Sequence, residues 1–421
     1  MDPGAVTAGA LPGGRRNGPS MHLWPEPQTP GGLGVRRVCR IERRDRLPQT
    51  GVVTLWYSLP DLGGGEPPEP DEPFLIAAMI QAMVEGRDLV LHGAASEELL
   101  GNLADFRDAW HRWRPEMFGR IGVGADRVTP RAVARRRGSG VAASYSGGVD
   151  SSWTIWRHVN GLAGHRSRRI THAVFVHGFD IPLADTAAFE ACCGRAASLL
   201  GGLGISLVPV RTNFRDALPF HWEMAYGVAL ASCFHQLRPH CGEALFASSR
   251  TYEALVFPAG SNVITDALLS SAELQVVEDG AGHNRCEKIA ELAEWPAGLA
   301  ELRVCWEGSQ RDRNCGQCEK CVRTMHGFLA AGLAIPPCFE RPPTLSQVAR
   351  VRLRTPVLAE EWGQLLLSAE RNGVRAPWVA IARRRLSHYR VRSALGDAAR
   401  QLARATLPTG VRHLVRRAVL A

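Results

Sequence analysis

The sequence predicts an α/β protein whose main domain is a doubly wound parallel sheet. Between about residues 140 and 280, short apolar runs rich in β-branched residues alternate with stretches of helical periodicity. We predict strands at 141–145, 170–176, 205–210, 244–247 and 274–277, and helices at 153–158, 185–200 and 221–237. This alternation is typical of a parallel sheet covered by helices on both faces. Such sheets bind ligands beyond the carboxyl ends of their strands, near the point where the strand order reverses.

The rest of the chain predicts a small α/β domain before this sheet and a helical extension after it. We place the segments at 1–33, 34–128, 138–335 and 340–421. The first is rich in Gly and Pro, so we expect it to be disordered, with Met21 as an alternative start. The second has strand patterns at 35–41, 52–58 and 89–91 and two helices capped by Asp71 and Ser96. The last is rich in arginine and has helical periodicity.

A Ser/Gly loop directly follows the first strand of the main sheet. Residues 146–152 read Ser-Gly-Gly-Val-Asp-Ser-Ser, and a helical pattern begins immediately afterwards. Two glycines let the backbone approach an anion, and the amides of the first helical turn then point at it. A carboxylate repels phosphate, so an acid in such a site typically acts through Mg²⁺. The candidate phosphate-binding residues of this loop are Ser146, Gly147, Gly148, Asp150, Ser151 and Ser152.

Four cysteines form a second motif. Cys305, Cys315, Cys318 and Cys321 are separated by nine, two and two residues, a spacing that favours a tetrahedral zinc ion. Four protein ligands leave no open position, so the metal would be structural. An iron–sulfur cluster or a redox dithiol is the alternative. The total of 11 cysteines is odd, which fits a reducing cytoplasm better than a disulfide-linked secreted protein.

The Ser-Gly-Gly-x-Asp-Ser loop resembles that of the PP-loop ATP pyrophosphatases, whose fold is that of the adenine nucleotide alpha hydrolases. Together with the cysteine pattern about 160 residues later, it resembles the 7-cyano-7-deazaguanine synthases of that superfamily. The resemblance covers about residues 139–333 and implies cleavage of ATP between its α and β phosphates, with a structural zinc. This chain adds sequence on both sides of that region, and the deazapurine substrate of the family is not carried over.

The resemblance also implies further site residues. In this superfamily the backbone after the second strand contacts adenine, which implies a role for Val176, His177, Gly178 and Phe179. His177-Gly178-Phe179 replaces the usual Tyr-Gly-Gln, and His177 could equally be an ordinary loop histidine. A lysine near the start of a later helix faces the phosphates in many members. Lys288 corresponds to that lysine in this chain, and with Asp150 of the loop, Arg250 and Arg285 it makes up the set of candidate catalytic residues.

Local sequence supports Lys288 as a candidate. Asn284 is a natural helix cap, and Arg285 and Lys288 then share one face of the helix that follows. The chain contains only one other lysine, Lys320, although its net charge is +9. A solvated helix lysine is the ordinary alternative.

The basic residues are unevenly distributed. The segment from Arg383 to the end contains ten arginines and one acid, Asp397, whereas the rest is balanced. Such a tail can bind nucleic acid or an anionic membrane, but we favour a solvated helix face because aromatic residues are sparse there. No apolar run approaches a membrane span of about 20 residues.

These observations favour a cytoplasmic ATP-dependent ligase or amidotransferase-like enzyme with Mg²⁺ and a structural zinc. It would adenylate a small-molecule carboxylate or carbonyl oxygen before attack by ammonia or an amine. The absence of an amino-terminal cysteine of the glutaminase type fits a free nitrogen donor. The alternatives are a thiolation-type enzyme that modifies tRNA and a non-catalytic nucleotide-binding zinc module. A homo-oligomer is compatible with each of these interpretations.

Overall fold

A computed structural model describes residues 18–45, 51–63, 71–130 and 138–406. Contacts divide the chain into two compact units. The first contains Met1–Cys315 with Pro336–Phe339, and the second contains Gly316–Ile335 with Glu340–Ala421. The predicted domain boundaries stay predictions.

The first unit is built on one sheet, which has eleven strands within the described residues. The strands are β1 Ser20–Pro25, β2 Thr29–Gly31, β3 Gly34–Arg44, β4 Val52–Leu59, β5 Asp88–Ser96, β6 Val123–Thr129, β7 Gly140–Ser144, β8 His172–His177, β9 Ser206–Thr212, β10 Cys241–Ala247 and β11 Gln275–Asp279. The helices of this unit are α1 Glu72–Glu85, α2 Glu97–Trp113, α3 Val149–Val159, α4 Thr186–Gly201, α5 Phe214–Ala217, α6 Trp222–His235, α7 Arg285–Leu292 and α8 Pro296–Ala300.

The carboxyl-terminal half of this sheet is parallel throughout. Its strand order is β11-β10-β7-β8-β9, with parallel pairing at every step. The chain therefore runs outward from β7 through β8 to β9 and then returns to the other side of β7 as β10. Because crossovers between parallel strands are right-handed, this reversal places α3 and α4 on one face and α6 on the other. The prediction of an α/β fold with a large, mostly parallel sheet is confirmed.

The amino-terminal strands extend the same sheet. β4 pairs antiparallel with β9 through Tyr57 opposite Thr212 and Ser58 opposite Arg211. The buried Tyr57 hydroxyl lies 2.7 Å from the Ser232 hydroxyl of α6. One continuous hydrophobic core includes residues of both halves. The region predicted as a small α/β domain thus shares its sheet and core with the region that carries the Ser/Gly loop.

Two expectations for the amino-terminal region were wrong. β1 and β2 lie within the segment 1–33, whose Gly and Pro content predicted disorder. The part of that prediction that concerns residues 1–17 lies outside the described residues. β1 is stabilised because it lies between β3 and β5 and buries Met21 and Leu23 completely. Asp71 precedes α1 but makes no side-chain cap; its carboxylate accepts instead from the Ala94 amide at 2.7 Å.

The second unit is helical within its described residues. Its helices are α9 Glu319–Ala330, α10 Leu345–Arg350, α11 Pro356–Arg371 and α12 Pro377–Thr406. α11 packs on α9, where the Trp362 indole donates to the Glu319 carboxylate at 2.8 Å. The last part of the predicted arginine-rich tail, residues 407–421, lies outside the described residues. Among the helices that the structure describes, none is long and apolar enough to cross a bilayer.

Candidate functional site

The Ser/Gly loop lies at the carboxyl end of β7, beside the end of β10. These two strands are neighbours, and the strand order reverses between them. β7 ends at Ser144 and α3 begins at Val149, so the loop connects them directly. Loops after neighbouring strands diverge at such a reversal, leaving a crevice in which doubly wound proteins bind ligands. The strand order therefore places the loop at the edge of the sheet where a ligand is expected.

The loop is shaped by hydrogen bonds among its own residues. Gly147 has φ +75°, a left-handed conformation that glycine adopts without steric cost. The Ser146 amide donates to the Ser151 hydroxyl at 3.2 Å, and the Gly148 amide lies 3.3 Å from the Ser146 hydroxyl. Ser152 is buried in the first turn of α3. Ser146 and Ser151 thus help to shape the turn, and their hydroxyls are not simply free donors.

The structure brings Asp150, Arg285 and Lys288 together. Arg285 Nη2 lies 2.7 Å from one oxygen of Asp150, and Lys288 Nζ lies 3.5 Å from the other. Lys288 also donates to the carbonyl oxygen of Ser248, which follows β10. The Asp150 and Arg285 side chains stay 19% and 18% exposed, whereas Lys288 is almost completely buried. The loop acid therefore faces two cations that are 135 or more positions away in the sequence.

Helix α7 presents both cations because its start is fixed. The Asn284 side chain accepts from the amides of Cys286 and Glu287, and the Glu287 carboxylate accepts from the Asn284 amide at 2.8 Å. The capping predicted for Asn284 is confirmed as a complete capping box. Arg285 and Lys288 then project from the first turn towards α3.

The Lys288 ammonium occupies an unfavourable environment. Burial lowers its pKa, although the Asp150 carboxylate opposes this shift. Nζ lies 5.1 Å from the centroid of the Trp153 ring, which packs closely on Gly280. A buried ammonium with a lowered pKa is a common feature of functional sites. The alternative of a solvated lysine on a helix surface is excluded by this burial.

Acidic residues at the end of β11 complete this region. Although burial opposes ionisation, hydrogen bonds and charges from His158, Arg157 and Thr154 hold the pKa of Asp279 below its ordinary value. Those contacts connect β11 with α3 at 3.0–3.2 Å. Burial raises the pKa of Glu278, which lies beside Lys288. Asp279 therefore anchors the site, while Glu278 contributes to the field around the lysine.

Arg250 lies in the loop after β10. Its guanidinium donates to the carbonyl oxygen of Val256 at 3.3 Å within that loop. Arg250, Ser248 and Glu278 line one small pocket. Arg250 is thus near the carbonyl group that receives Lys288, and its catalytic role stays a prediction.

The end of β8 and the segment after it are held largely by structural contacts. His177 is fully buried, with Nε2 2.8 Å from the Pro182 oxygen and its ring stacked on Phe189. The Phe179 carbonyl oxygen accepts from Arg215 at 2.9 Å. The His177 side chain is thus the ordinary histidine that the alternative interpretation described. Contact of the 176–179 backbone with adenine stays a prediction.

Arg303 was not identified from the sequence. Its backbone amide donates to the Gly147 carbonyl at 2.8 Å, and its Nη2 lies 3.3 Å from the Ser146 carbonyl oxygen. The residue is 7% exposed and lies 157 positions after Ser146. Arginine is by far the commonest basic residue in this chain, so its type alone could not single it out.

The four cysteines of the predicted metal site come together. The sulfur atoms of Cys305, Cys315, Cys318 and Cys321 all lie within 4.8 Å of one another. Thiolates about 2.3 Å from a tetrahedral zinc would be about 3.8 Å apart, so this set fits such an ion. Amides of Gly308 and Cys321 lie 3.3 and 3.4 Å from the sulfurs of Cys305 and Cys318. The cluster could therefore bind a metal such as zinc.

Fold and site together define a doubly wound α/β protein with a glycine-containing turn where its strand order reverses. Among curated proteins, the chain is similar to a 7-cyano-7-deazaguanine synthase from Thiobacillus denitrificans, with 24% identity over 149 residues. The match covers 34% of this chain and 63% of that relative, which is less than two thirds of its length. No family model matches the chain. No solved structure matches it either.

Proposed function

We propose that this protein is an ATP-dependent ligase of the PP-loop ATP pyrophosphatase type. It would adenylate a carboxylate or carbonyl oxygen of a small molecule, release pyrophosphate, and complete the reaction with ammonia or an amine. The observation that carries this proposal is the Ser/Gly loop at the strand-order reversal, with Asp150 facing Lys288 and Arg285. The likeness to a synthase supports an enzyme, although that likeness covers only part of each chain.

The residues of the loop suit the binding of a triphosphate. The first amides of α3 have no partners within the helix and carry the positive end of its dipole. Gly147 and Gly148 have no side chains to block an approaching anion. The loop would therefore hold the two phosphates that leave as pyrophosphate.

Lys288 and Arg285 would stabilise the charge that develops on those phosphates. The substrate oxygen forms a bond to the α-phosphorus as the bond from that phosphorus to the bridging β-oxygen breaks. Negative charge then grows on the departing pyrophosphate, and fixed cations beside it lower the barrier. The nitrogen donor subsequently attacks the activated carbon, loses a proton, and displaces AMP.

Asp150 would take part in Mg²⁺ binding through carboxylate oxygens that it shares with its two cationic partners. Its two oxygens now contact Arg285 and Lys288. Phosphate oxygens would compete for the same two cations, which would make the carboxylate available as a metal ligand. Bound Mg²⁺ would neutralise phosphate charge. The cysteine cluster would hold the zinc as a structural ion, because four thiolates complete its coordination.

The test is pyrophosphate release that depends on a carboxylic acid. We would incubate the protein with MgATP, ammonium and individual acids, including deazapurine acids suggested by the name of the relative. We expect one class of acid to stimulate release and to yield an adenylate detectable by mass spectrometry. Asp150→Ala should abolish release, whereas Asp216→Asn, at an exposed position on α5, should not change it. Wild-type rates in the Asp150→Ala variant would contradict the proposal.

A further inference from the structure

Arg303 holds the back of the Ser/Gly loop through main-chain oxygens. Its Nη2 donates to the Ser146 carbonyl, and its own amide donates to the Gly147 carbonyl. Its Nη1 donates to the carbonyl oxygens of Cys305 and Arg311 at 3.1 and 3.2 Å. The guanidinium is therefore fixed by carbonyl groups from two segments, and it cannot turn to another partner without leaving several of them unpaired.

These contacts determine the direction in which the loop amides point. In a trans peptide the carbonyl and the following N–H point in opposite directions. Because the carbonyls of Ser146 and Gly147 face Arg303, the N–H groups of Gly147 and Gly148 are turned away from it, and on that side the Gly148 N–H lies 3.3 Å from the Ser146 hydroxyl. The φ of +75° at Gly147 allows both carbonyls to face the same side. Arg303 thus orients the Gly147 amide towards an approaching anion, together with the Gly148 amide once the anion replaces the Ser146 hydroxyl as its acceptor.

The positive charge of Arg303 also favours an anion on the side of the loop that its amides face. The guanidinium is buried behind the loop, and its carbon lies 5.9 Å from the centroid of the buried Phe175 ring on β8. Water screens such a charge poorly, so its field reaches the opposite side of a two-residue turn. That field favours a phosphate group on the open side of the loop.

We propose that Arg303 is a positioning residue that prepares the Ser/Gly loop for the phosphates of a nucleotide. This inference rests on the proposed function, because it requires the loop to bind a nucleotide. Arg303 acts through the main chain of the loop and does not touch the reacting atoms. Because it shapes the loop and does not contact the reacting atoms, its loss raises KM and the Kd for ATP by a larger factor than it lowers kcat.

Three substitutions separate the effect of the Arg303 charge from the effect of its hydrogen bonds. Arg303→Lys keeps the charge, Arg303→Gln keeps a donor without the charge, and Arg303→Met removes both. Arg37→Met is a matched control, because Arg37 is 5% exposed and its guanidinium donates to Gln28 and Gln236 away from the loop. MgATP binding is measured by calorimetry, folding by circular dichroism and thermal unfolding, and kcat and KM by pyrophosphate release.

Arg303→Met should weaken MgATP binding at least about tenfold, the effect of losing one charged hydrogen bond. The Lys and Gln variants should lie between it and the wild type, whereas Arg37→Met should lower the unfolding temperature without changing the Kd. A folded Arg303→Met protein that binds MgATP within twofold of the wild type would overturn the inference. If that variant does not fold, the same limit applies to Arg303→Gln. Wild-type protein that binds no MgATP would instead refute the proposed function.

Discussion

Replacing Lys288 by methionine should strongly reduce pyrophosphate release while changing the free energy of unfolding little. At 3.5 Å from Asp150, with an effective dielectric constant of about 20, the ion pair has a Coulomb energy of about 5 kcal/mol. Burying the ammonium costs several kcal/mol, which offsets most of that attraction. The lowered pKa of Lys288 has the same cause, since burial disfavours its charged form. Methionine has similar length and no charge, and Asp150 keeps Arg285 at 2.7 Å.

We therefore expect Lys288→Met to change the free energy of unfolding by less than about 2 kcal/mol, because relief of the buried charge is opposed by the loss of the hydrogen bond to the Ser248 carbonyl. Pyrophosphate release should fall by about 100-fold or more, because a fixed cation beside the leaving group is lost. Asp150→Asn should behave differently. It leaves the buried ammonium without its carboxylate and should lower the stability by about 2–3 kcal/mol.

The two quantities are measured by urea unfolding and by a coupled pyrophosphate assay on the same preparations. The pH dependence of the stability difference between the wild type and Lys288→Met tests the assigned state of the lysine. Because the native pKa of Lys288 is lowered, the unfolded chain binds the proton more tightly than the native protein. The stability of the wild type relative to Lys288→Met should thus rise as the pH increases through the native pKa. A Lys288→Met protein that is destabilised by more than about 2 kcal/mol and retains full turnover would refute this reasoning.

Three further predictions concern the loop, the metal and one buried acid. Gly147→Ala should lower stability by about 1–2 kcal/mol in urea unfolding, because alanine is strained at φ +75°. Gly101→Ala in α2, where the new methyl group meets open space, should raise it by about 1 kcal/mol; equal effects would contradict the assigned backbone conformation. Cys315→Ser should lose the bound zinc and Cys193→Ser should keep it, as measured by plasma mass spectrometry. An unchanged zinc content in both variants would show that the four cysteines are not the zinc site. Burial raises the pKa of Asp266 to about 8, so the native protein keeps a proton that the unfolded chain loses near pH 4. Wild-type stability should therefore fall relative to Asp266→Asn as the pH rises from about 4 to 8, and parallel urea-unfolding curves across that range would show that Asp266 does not titrate in this way.

Several features of the site were predictable because they depend on neighbouring residues. The strand, glycine turn and helix around residues 146–152 follow one another directly in the chain. The cap at Asn284 needs only the amides of the next three residues. The cysteine spacing similarly predicts a shared ligand, and the four sulfurs do come together. In each case a local backbone preference or a short connection limits the available geometries.

Other features were not predictable because their partners are distant in sequence. The antiparallel pairing of β4 with β9 joins positions about 150 residues apart, and the periodicity of each strand does not predict its partner. β1 is ordered by burial between β3 and β5, which outweighs its unfavourable composition. Arg303 could not be distinguished from many other arginines until its contacts with the loop were known.

The amino-acid sequence by itself determined the alternation of strands and helices, the glycine turn and the cysteine spacing. These depend on backbone preferences and side-chain periodicity over a few residues. Only the tertiary structure decided that Lys288 is buried against Asp150, that His177 is enclosed by Phe189 and Pro182, and that Arg303 lies behind the loop. Burial and through-space distance between remote segments emerge only when the sheet assembles, because the strand order sets which loops become neighbours.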